Sequence, residues 1–252
     1  MTPLPNIMVA PNGARRTKVD HPALPINLSE IVETARQCYL AGAGGLHAHV
    51  RDTAGKHILD AGIYRELLAE MALAVPDMLV QITTEAVGSY SPVEQRKLVR
   101  DVRPAMVSVA LCEMVPDGAQ AEAADFYHWA HDEEIAVQHI LYDQTDIEAL
   151  DRLLQEGQIP HENLQALLVL GRYTVNQVSN SKDLPPLVNA LTTAAPDVDW
   201  AVCAFGQNET ACLRSALAHG GKVRVGFENN LFHADGQVAA DNSSRVREIS
   251  TL

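Results

Sequence analysis

The sequence predicts an α/β fold, a single (β/α)8 TIM barrel, on three observations. Short apolar runs alternate with longer amphipathic ones along all 252 residues. Eight such strand-plus-helix units follow one another, and about 250 residues is what eight units need. No gap between units could hold a second domain, so residues 1–252 read as one barrel domain. The strands are near-continuously apolar, which implies a parallel sheet covered on both faces. An open doubly wound sheet is the structural alternative.

NIMVA (6–10) is the first strand. Asn27-Leu28-Ser29-Glu30 supplies an N-cap with a glutamate three residues on, opening a helix through IVETARQCYLAG. GGLHAHV (44–50) is the second strand, and AGIYRELLAEMALA (61–74) has helical spacing. DMLVQITT (77–84) is the third strand. Ser91-Pro92-Val93-Glu94 caps the next helix, with proline at its first position. AMVSVAL (105–111) precedes a helix over 121–134, and IAVQHILY (135–142) precedes one over 145–157. QALLVLG (165–171) leads to a helix over 181–195, whose Pro185 and Pro186 must lie in its first turn. DWAVCAF (199–205) leads to NETACLRSALAHGG. KVRVGFE (222–228) is the last strand and NSSRVREIS (242–250) the last helix.

Lys and Arg number 19 against 32 Asp and Glu, a net charge of -13. Such a surface repels phosphate backbones, so no nucleic-acid partner is expected. No run approaches the ~18 apolar residues of a membrane span, and MTPLPNIMVAPNG lacks the pattern of a signal peptide. No membrane partner is expected, and the location reads as cytoplasmic. Cys38, Cys112, Cys203 and Cys212 form no CxxC pair, which suits reduced thiols in a reducing compartment.

Side chains alternate along a strand, so His47 and His49 share a face near the C-terminal end of the second strand, where a barrel carries its active site. Two imidazoles ~6–7 Å apart can turn toward one cation. The competing reading is two histidines hydrogen-bonded to backbone or acids. Arg224, Gly226 and Glu228 share a face of the last strand, and Glu228 at its end can supply a third ligand across the mouth. Two histidines and one carboxylate leave an open coordination position, as catalytic zinc sites do. Nitrogen and oxygen ligands also suit iron or manganese, so zinc is a preference.

APNGARRTKVDHPALPIN, AGAGGLHAHVRDTAGK, the QITT run and VRVGFENN together resemble the β-keto acid cleavage enzymes, in register from residue 6 to about residue 245. The resemblance implies a (β/α)8 barrel, a divalent metal (usually zinc) and a homotetramer. It implies reaction of a β-keto acid with acetyl-CoA to give acetoacetate and a new acyl-CoA, by Claisen and retro-Claisen steps. The metal would act as a Lewis acid on the keto and carboxylate oxygens. By position, the ligands would be His47, His49 and Glu228. Arg224 matches the arginine that takes part in deprotonation. Thr83 and Ser108 match hydroxyls near the substrate carboxylate. Asn12 and Gly13, with Arg15 after them, fall in the substrate-binding segment.

Three departures stand out. The family's E-D-N is Glu228-Asn229-Asn230 here, so the aspartate thought to assist the arginine is the uncharged Asn229. Arg15 stands where members acting on amines often carry glutamate, which points to a neutral or anionic substrate tail. Glu85-Ala86-Val87 replaces the usual Gly-rich turn after QxTT. The chain also ends at Leu252, shorter than usual, which is expected to remove a helix and change the oligomer.

Arg51 and Asp52 read as an ion pair that orients a loop. Arg16 and Lys18 could meet CoA phosphates but also suit solvated loop charges, and Gly206, Gln207 and Asn208 could help hold CoA. His139 reads as a core or rim histidine, Asp20 and His21 as turn residues, and His128 and His131 as a solvated face. Two other functions compete. A metal-dependent hydrolase of the amidohydrolase type carries HxH on strand one, histidines on strands five and six, and aspartate on strand eight. Here the pair is on strand two, strand six lacks histidine, and strand eight ends in glutamate. A member that binds metal and keto acid without turnover is the non-enzymatic alternative, motivated by Asn229.

Overall fold

Strand alternation sorts the side chains into an interior column and an outer shell, and the computed structural model, which describes residues 1–116 and 120–252, shows both. Eight parallel strands close in chain order: β1 (Ile7–Val9), β2 (Gly45–Ala48), β3 (Leu79–Thr83), β4 (Met106–Ala110), β5 (Ala136–Leu141), β6 (Gln165–Leu170), β7 (Asp199–Ala204) and β8 (Lys222–Val225). β8 returns to β1 with Met8 beside Arg224, which closes the barrel. The open-sheet alternative is thereby excluded.

The helices are α1 (Leu28–Leu40), α2 (Ala61–Ala74), α3 (Pro92–Val102), α4 (Leu111–Met114), α5 (Gln120–Asp132), α6 (Gln144–Gln155), α7 (Leu184–Ala194), α8 (Glu209–Ala218) and α9 (Asn242–Ile249). Their starts follow the capping signals. Asn27 Oδ1 accepts from the Glu30 amide at 3.0 Å, and Glu30 reaches back to the Asn27 amide. Ser91 and Glu94 form the same box, with Pro92 at the first helical position. α7 carries its prolines in the first turn, where no amide is needed. α4 leaves no signal in the sequence, because four residues are too few to show a period.

Outward side chains such as Leu46, Ile82, Val107, Val202 and Val223 pack under Leu67, Leu98, Phe126, Leu150 and Leu191 of the helices. The interior holds Met8, Met106, Ala136, Leu167 and Ala201. Ser108 and Gln138 stand two residues beyond Met106 and Ala136 on the same strand faces, and His47, Gln81 and Arg224 are buried in the interior with them. This polar layer separates an apolar floor from the mouth. No helix among the described residues is long and apolar enough to cross a membrane.

One expectation needs correction. The last strand does not run to Glu228 but ends at Val225. Gly226 adopts φ +143°, and a Cβ there would lie 2.4 Å from the Ala10 carbonyl oxygen. Only glycine allows this close approach. Glu228 therefore arrives through a turn, pinned by its amide donating to Ala10 O at 3.0 Å.

Candidate active site

His47 lies in β2 and His49 one residue beyond it. Their Nε2 atoms are 3.2 Å apart, and each lies 3.6 Å from Oε2 of Glu228. Ligands 2.0–2.1 Å from a tetrahedral ion stand about 3.3 Å from one another, so this triangle fits a metal. Glu228 Oε2 is buried and has no hydrogen-bond partner. An orphaned carboxylate oxygen facing two imidazoles is costly without a cation. Burial, aided by Arg224, pushes the His47 imidazole down to about 4, and burial pushes His49 well below its ordinary value. Both rings are thus neutral near pH 7, the form that ligates.

The first loop braces this triangle. Asn12 Nδ2 donates to His49 O at 2.8 Å, so its amide holds ligand backbone as well as lining the cavity. Gly13 has φ +60°, and a Cβ there would fall 2.5 Å from Glu228 Cγ. Gly13→Ala is therefore expected to push Glu228 off the imidazoles and weaken zinc retention more than about tenfold in a chelator competition. Retention equal to wild type would show that Glu228 does not need its present place.

Arg224 is buried beside Glu228, Nη2 to Oε1 at 3.1 Å, and touches Cys203 Sγ at 3.4 Å. Its Nε and Nη1 have no partner. Burial lowers the guanidinium pKa, but Cys203 and Glu228 outweigh it and the net direction is upward, so Arg224 stays a cation. Burial raises the Glu228 carboxyl, but Arg224 leads the groups that hold it below its ordinary value. Thr83 and Ser108 are paired across β3 and β4. Thr83 Oγ accepts from the Glu85 amide at 3.1 Å, which leaves its proton for a ligand. Ser108 Oγ is buried without a partner and, unlike Thr83, does not line the cavity. Asn229 is fully buried behind the wall, and neither atom of its side-chain amide has a partner.

A cavity lies over these residues, open at the barrel mouth. Arg15, Arg16, Arg172 and Arg224 line it, against Glu85 and Glu228. Arg172 and Glu85 were not singled out in the sequence. Glu85 Oε1 meets Arg172 Nη2 at 3.1 Å, while its Oε2 lies 3.8 Å from His49 Nδ1. Burial, reinforced by Glu228 and opposed by Arg172, pushes the Glu85 carboxyl up to about 7. The signal was present in part, because Glu85 stands in the turn that departs from the family pattern.

Several weighed residues take other roles. Arg51 does not pair with Asp52; it donates to the carbonyls of Gly13, Asn12, Arg16 and Gly55 and staples the first loop to the second. Asp52 instead caps its own turn through the amides of Ala54 and Lys56. Arg16 donates to Phe227 O and lines the cavity, whereas Lys18 is solvated and paired with Glu30. Gly206 and Asn208 do not reach the cavity. Asn208 donates to Ser179 O, which braces the loop after β6, and Gly206 donates to Asn229 O, which braces the turn after β8. His139 lies outside the barrel wall against Tyr127, and His21 is fixed by Ala239 O. His128 donates to Gly157 O and His131 faces Glu162 at the surface.

A family model described as beta-keto acid cleavage enzyme matches residues 6–252. The chain belongs to the beta-keto acid cleavage enzyme family. Among relatives in that family, a 3-keto-5-aminohexanoate cleavage enzyme of Fusobacterium nucleatum is 25% identical over 95% of this chain and 88% of its own. A 3-oxoadipate:acetyl-CoA acetyltransferase of Cupriavidus necator is 26% identical over 98% and 87%. Among solved structures, ObcA bound to oxaloacetate superposes with a TM-score of 0.70 at 16% identity. That match covers 91% of this chain but 63% of ObcA, and at this identity it speaks for the barrel fold alone.

Proposed function

We propose that the chain is a metal-dependent enzyme that reacts a β-keto acid with acetyl-CoA, yielding acetoacetate and a new acyl-CoA. The observation that carries this reading is the triangle of His47, His49 and Glu228 beside a buried arginine with two unpartnered nitrogens. Zinc is preferred over iron or manganese because three such ligands with an open position suit it. When bound, the cation supplies Lewis acidity toward keto and carboxylate oxygens. The relatives' names, which join β-keto acids with acetyl-CoA, support the co-substrate.

The chain's own residues then bind and orient. Thr83 has a proton to give a substrate carboxylate, whereas Ser108, its neighbour on β4, stands back from the cavity. Arg224 offers Nε and Nη1 as fixed cationic donors to charge developing on oxygen, in a site shielded from water. With Asn229 uncharged and Arg224 held protonated, Arg224 serves as that donor rather than as the base. A homotetramer in the cytoplasm is part of the same reading.

Substrate choice follows from charge. Four arginines and two glutamates line the cavity of a chain whose net charge is -13. The cavity thus concentrates anions that the surface repels. Arg15 and Arg172 suit a second carboxylate, so a β-keto diacid is the favoured substrate, with a neutral tail next. Purified protein incubated with acetyl-CoA and a panel of 3-oxo diacids, 3-oxo acids and 3-keto-5-amino acids is expected to release acetoacetate fastest from the diacids. Faster turnover of the amine would overturn the assignment. The buried, unpartnered amide of Asn229 favours one second reading, a protein that binds metal and keto acid without turnover. Metal content with no acetoacetate from any substrate would establish it.

A further inference from the structure

Gln81 and Gln138 stand in the polar layer below the ligand triangle, 0% and 1% exposed. His47 Nδ1 lies 2.8 Å from Gln81 Oε1. Gln81 Nε2 lies 3.0 Å from Gln138 Oε1, crossing the interior from β3 to β5. Gln138 Nε2 lies 3.3 Å from the backbone oxygen of Ala166 in β6. These contacts form one chain of hydrogen bonds across four strands, and its direction is forced from the far end. A backbone carbonyl can only accept, so Gln138 must turn its NH2 to Ala166 and its oxygen to Gln81. Gln81 must then give its NH2 to Gln138 and its oxygen to His47. An amide oxygen only accepts, so the proton of the neutral imidazole sits on Nδ1. The lone pair is left on Nε2, which faces His49 and Glu228.

We infer that Gln81 and Gln138 are positioning residues that set the His47 tautomer, so that Ala166 O, three links away, decides which nitrogen is free to ligate. The inference rests on the metal reading above. Hydrogen-bond partners behind a ligating histidine typically change metal affinity 10–100-fold. The two partners are unequal. Losing Gln81 removes the acceptor itself. Losing Gln138 leaves Gln81 in place but free to flip and offer its NH2 to His47, which favours the wrong tautomer. A merely structural role predicts no such order.

The test measures zinc retention by chelator competition in the full-length holoprotein for Gln81→Leu, Gln138→Leu and the double variant. About 10–100-fold weaker binding is expected for Gln81→Leu and about tenfold for Gln138→Leu. The double variant should match Gln81→Leu, because the second loss acts only through the first. Gln81→Glu keeps an acceptor for the Nδ1 proton although it sets a carboxylate oxygen against Gln138 Oε1, so it should retain zinc better than Gln81→Leu, which covers the case in which a leucine variant does not fold. Independently of zinc, 15N spectra of histidine-labelled metal-free protein should show His47 protonated on Nδ1. Protonation on Nε2, wild-type retention in both leucine variants, or additive losses would overturn the inference. Failure of the wild type to bind zinc, with the Nδ1 tautomer intact, would overturn the metal reading and leave the tautomer assignment standing.

Discussion

Glu228→Gln protein is expected to turn over its β-keto acid with acetyl-CoA about 10³-fold more slowly than wild type, with zinc falling to a small fraction of one ion per chain. The magnitude follows from the several kcal/mol that a Lewis-acidic cation contributes, at about 1.4 kcal/mol per factor of ten. Glutamine has the volume of glutamate, so the turn from Gly226 to Asn230 keeps its shape. Its amide oxygen can still accept from Arg224, now 3.1 Å from the carboxylate. What it loses is the charge that neutralises a cation beside two neutral imidazoles. Glu228→Ala would confuse the result, because it leaves the buried Arg224 guanidinium without its carboxylate. The two measurements separate the possibilities. Zinc lost together with activity supports the ligand role. Zinc retained with activity lost would move Glu228 to a purely chemical role. Activity retained would remove the centre of the proposed mechanism.

Much of this site is legible in the sequence, for identifiable reasons. The barrel follows from short, near-continuous apolar runs that alternate eight times with amphipathic helical segments, and these are local properties of the chain. His47 and His49 are legible because their spacing by two is itself a statement about one strand face. Glu228 was legible in identity but not in placement. Strand alternation carried through Gly226 predicts a strand residue at 228, but the chain leaves the strand at Gly226, and Glu228 reaches the imidazoles by a turn that the sequence does not announce. Arg51 shows the opposite failure. A neighbouring aspartate suggested an ion pair, but the side chain meets four carbonyls, three of them 35 to 39 residues away. Glu85 and Arg172 meet across 87 residues, and Gln81 and Gln138 across 57. No local pattern encodes such encounters; they exist because closure of the barrel puts β2, β3, β5 and β6 around one axis.

The same closure explains why polar groups can occupy the interior at all. β2, β3 and β5 each contribute an inward polar residue, and His47, Gln81 and Gln138 satisfy one another instead of meeting water. Four of the unpartnered buried atoms belong to residues that line the cavity: Glu228 Oε2, Arg224 Nε and Nη1, and His49 Nδ1. Leftover capacity there is what a ligand-binding site requires, because a bound cation and a bound carboxylate can use it.

Arg245→Met is expected to cost about 3–5 kcal/mol of stability, the usual loss when one partner of a buried ion pair is removed. Arg245 in α9 and Glu209 at the start of α8 are both 0% exposed, with Nη2 2.7 Å from Oε2. Thr210 Oγ accepts from the same guanidinium at 3.1 Å, and Asn230 Nδ2 donates to Glu209 at 3.2 Å. Methionine fills most of the volume but leaves the carboxylate of Glu209 facing hydrocarbon. At roughly 2–4 °C per kcal/mol for a domain of this size, the midpoint should fall by about 6–20 °C in thermal scans. The pH dependence identifies the cause. Burial already raises the Glu209 carboxyl above its ordinary value despite Arg245, and without the arginine it must rise further. A carboxyl with a raised folded pKa favours the fold below its unfolded pKa and loses that contribution as pH climbs through the folded value. The deficit of Arg245→Met should therefore be largest at neutral pH and shrink toward pH 5. Adding Glu209→Gln should recover part of it at pH 7, since a neutral amide can still accept from Asn230. A deficit independent of pH and unchanged by Glu209→Gln would show that Arg245 matters for packing alone. The consequence reaches the site, because Asn230 ties Glu209 to the turn that presents Glu228. Loosening α8 from α9 should then weaken zinc retention on warming, even though Arg245 lines no part of the cavity.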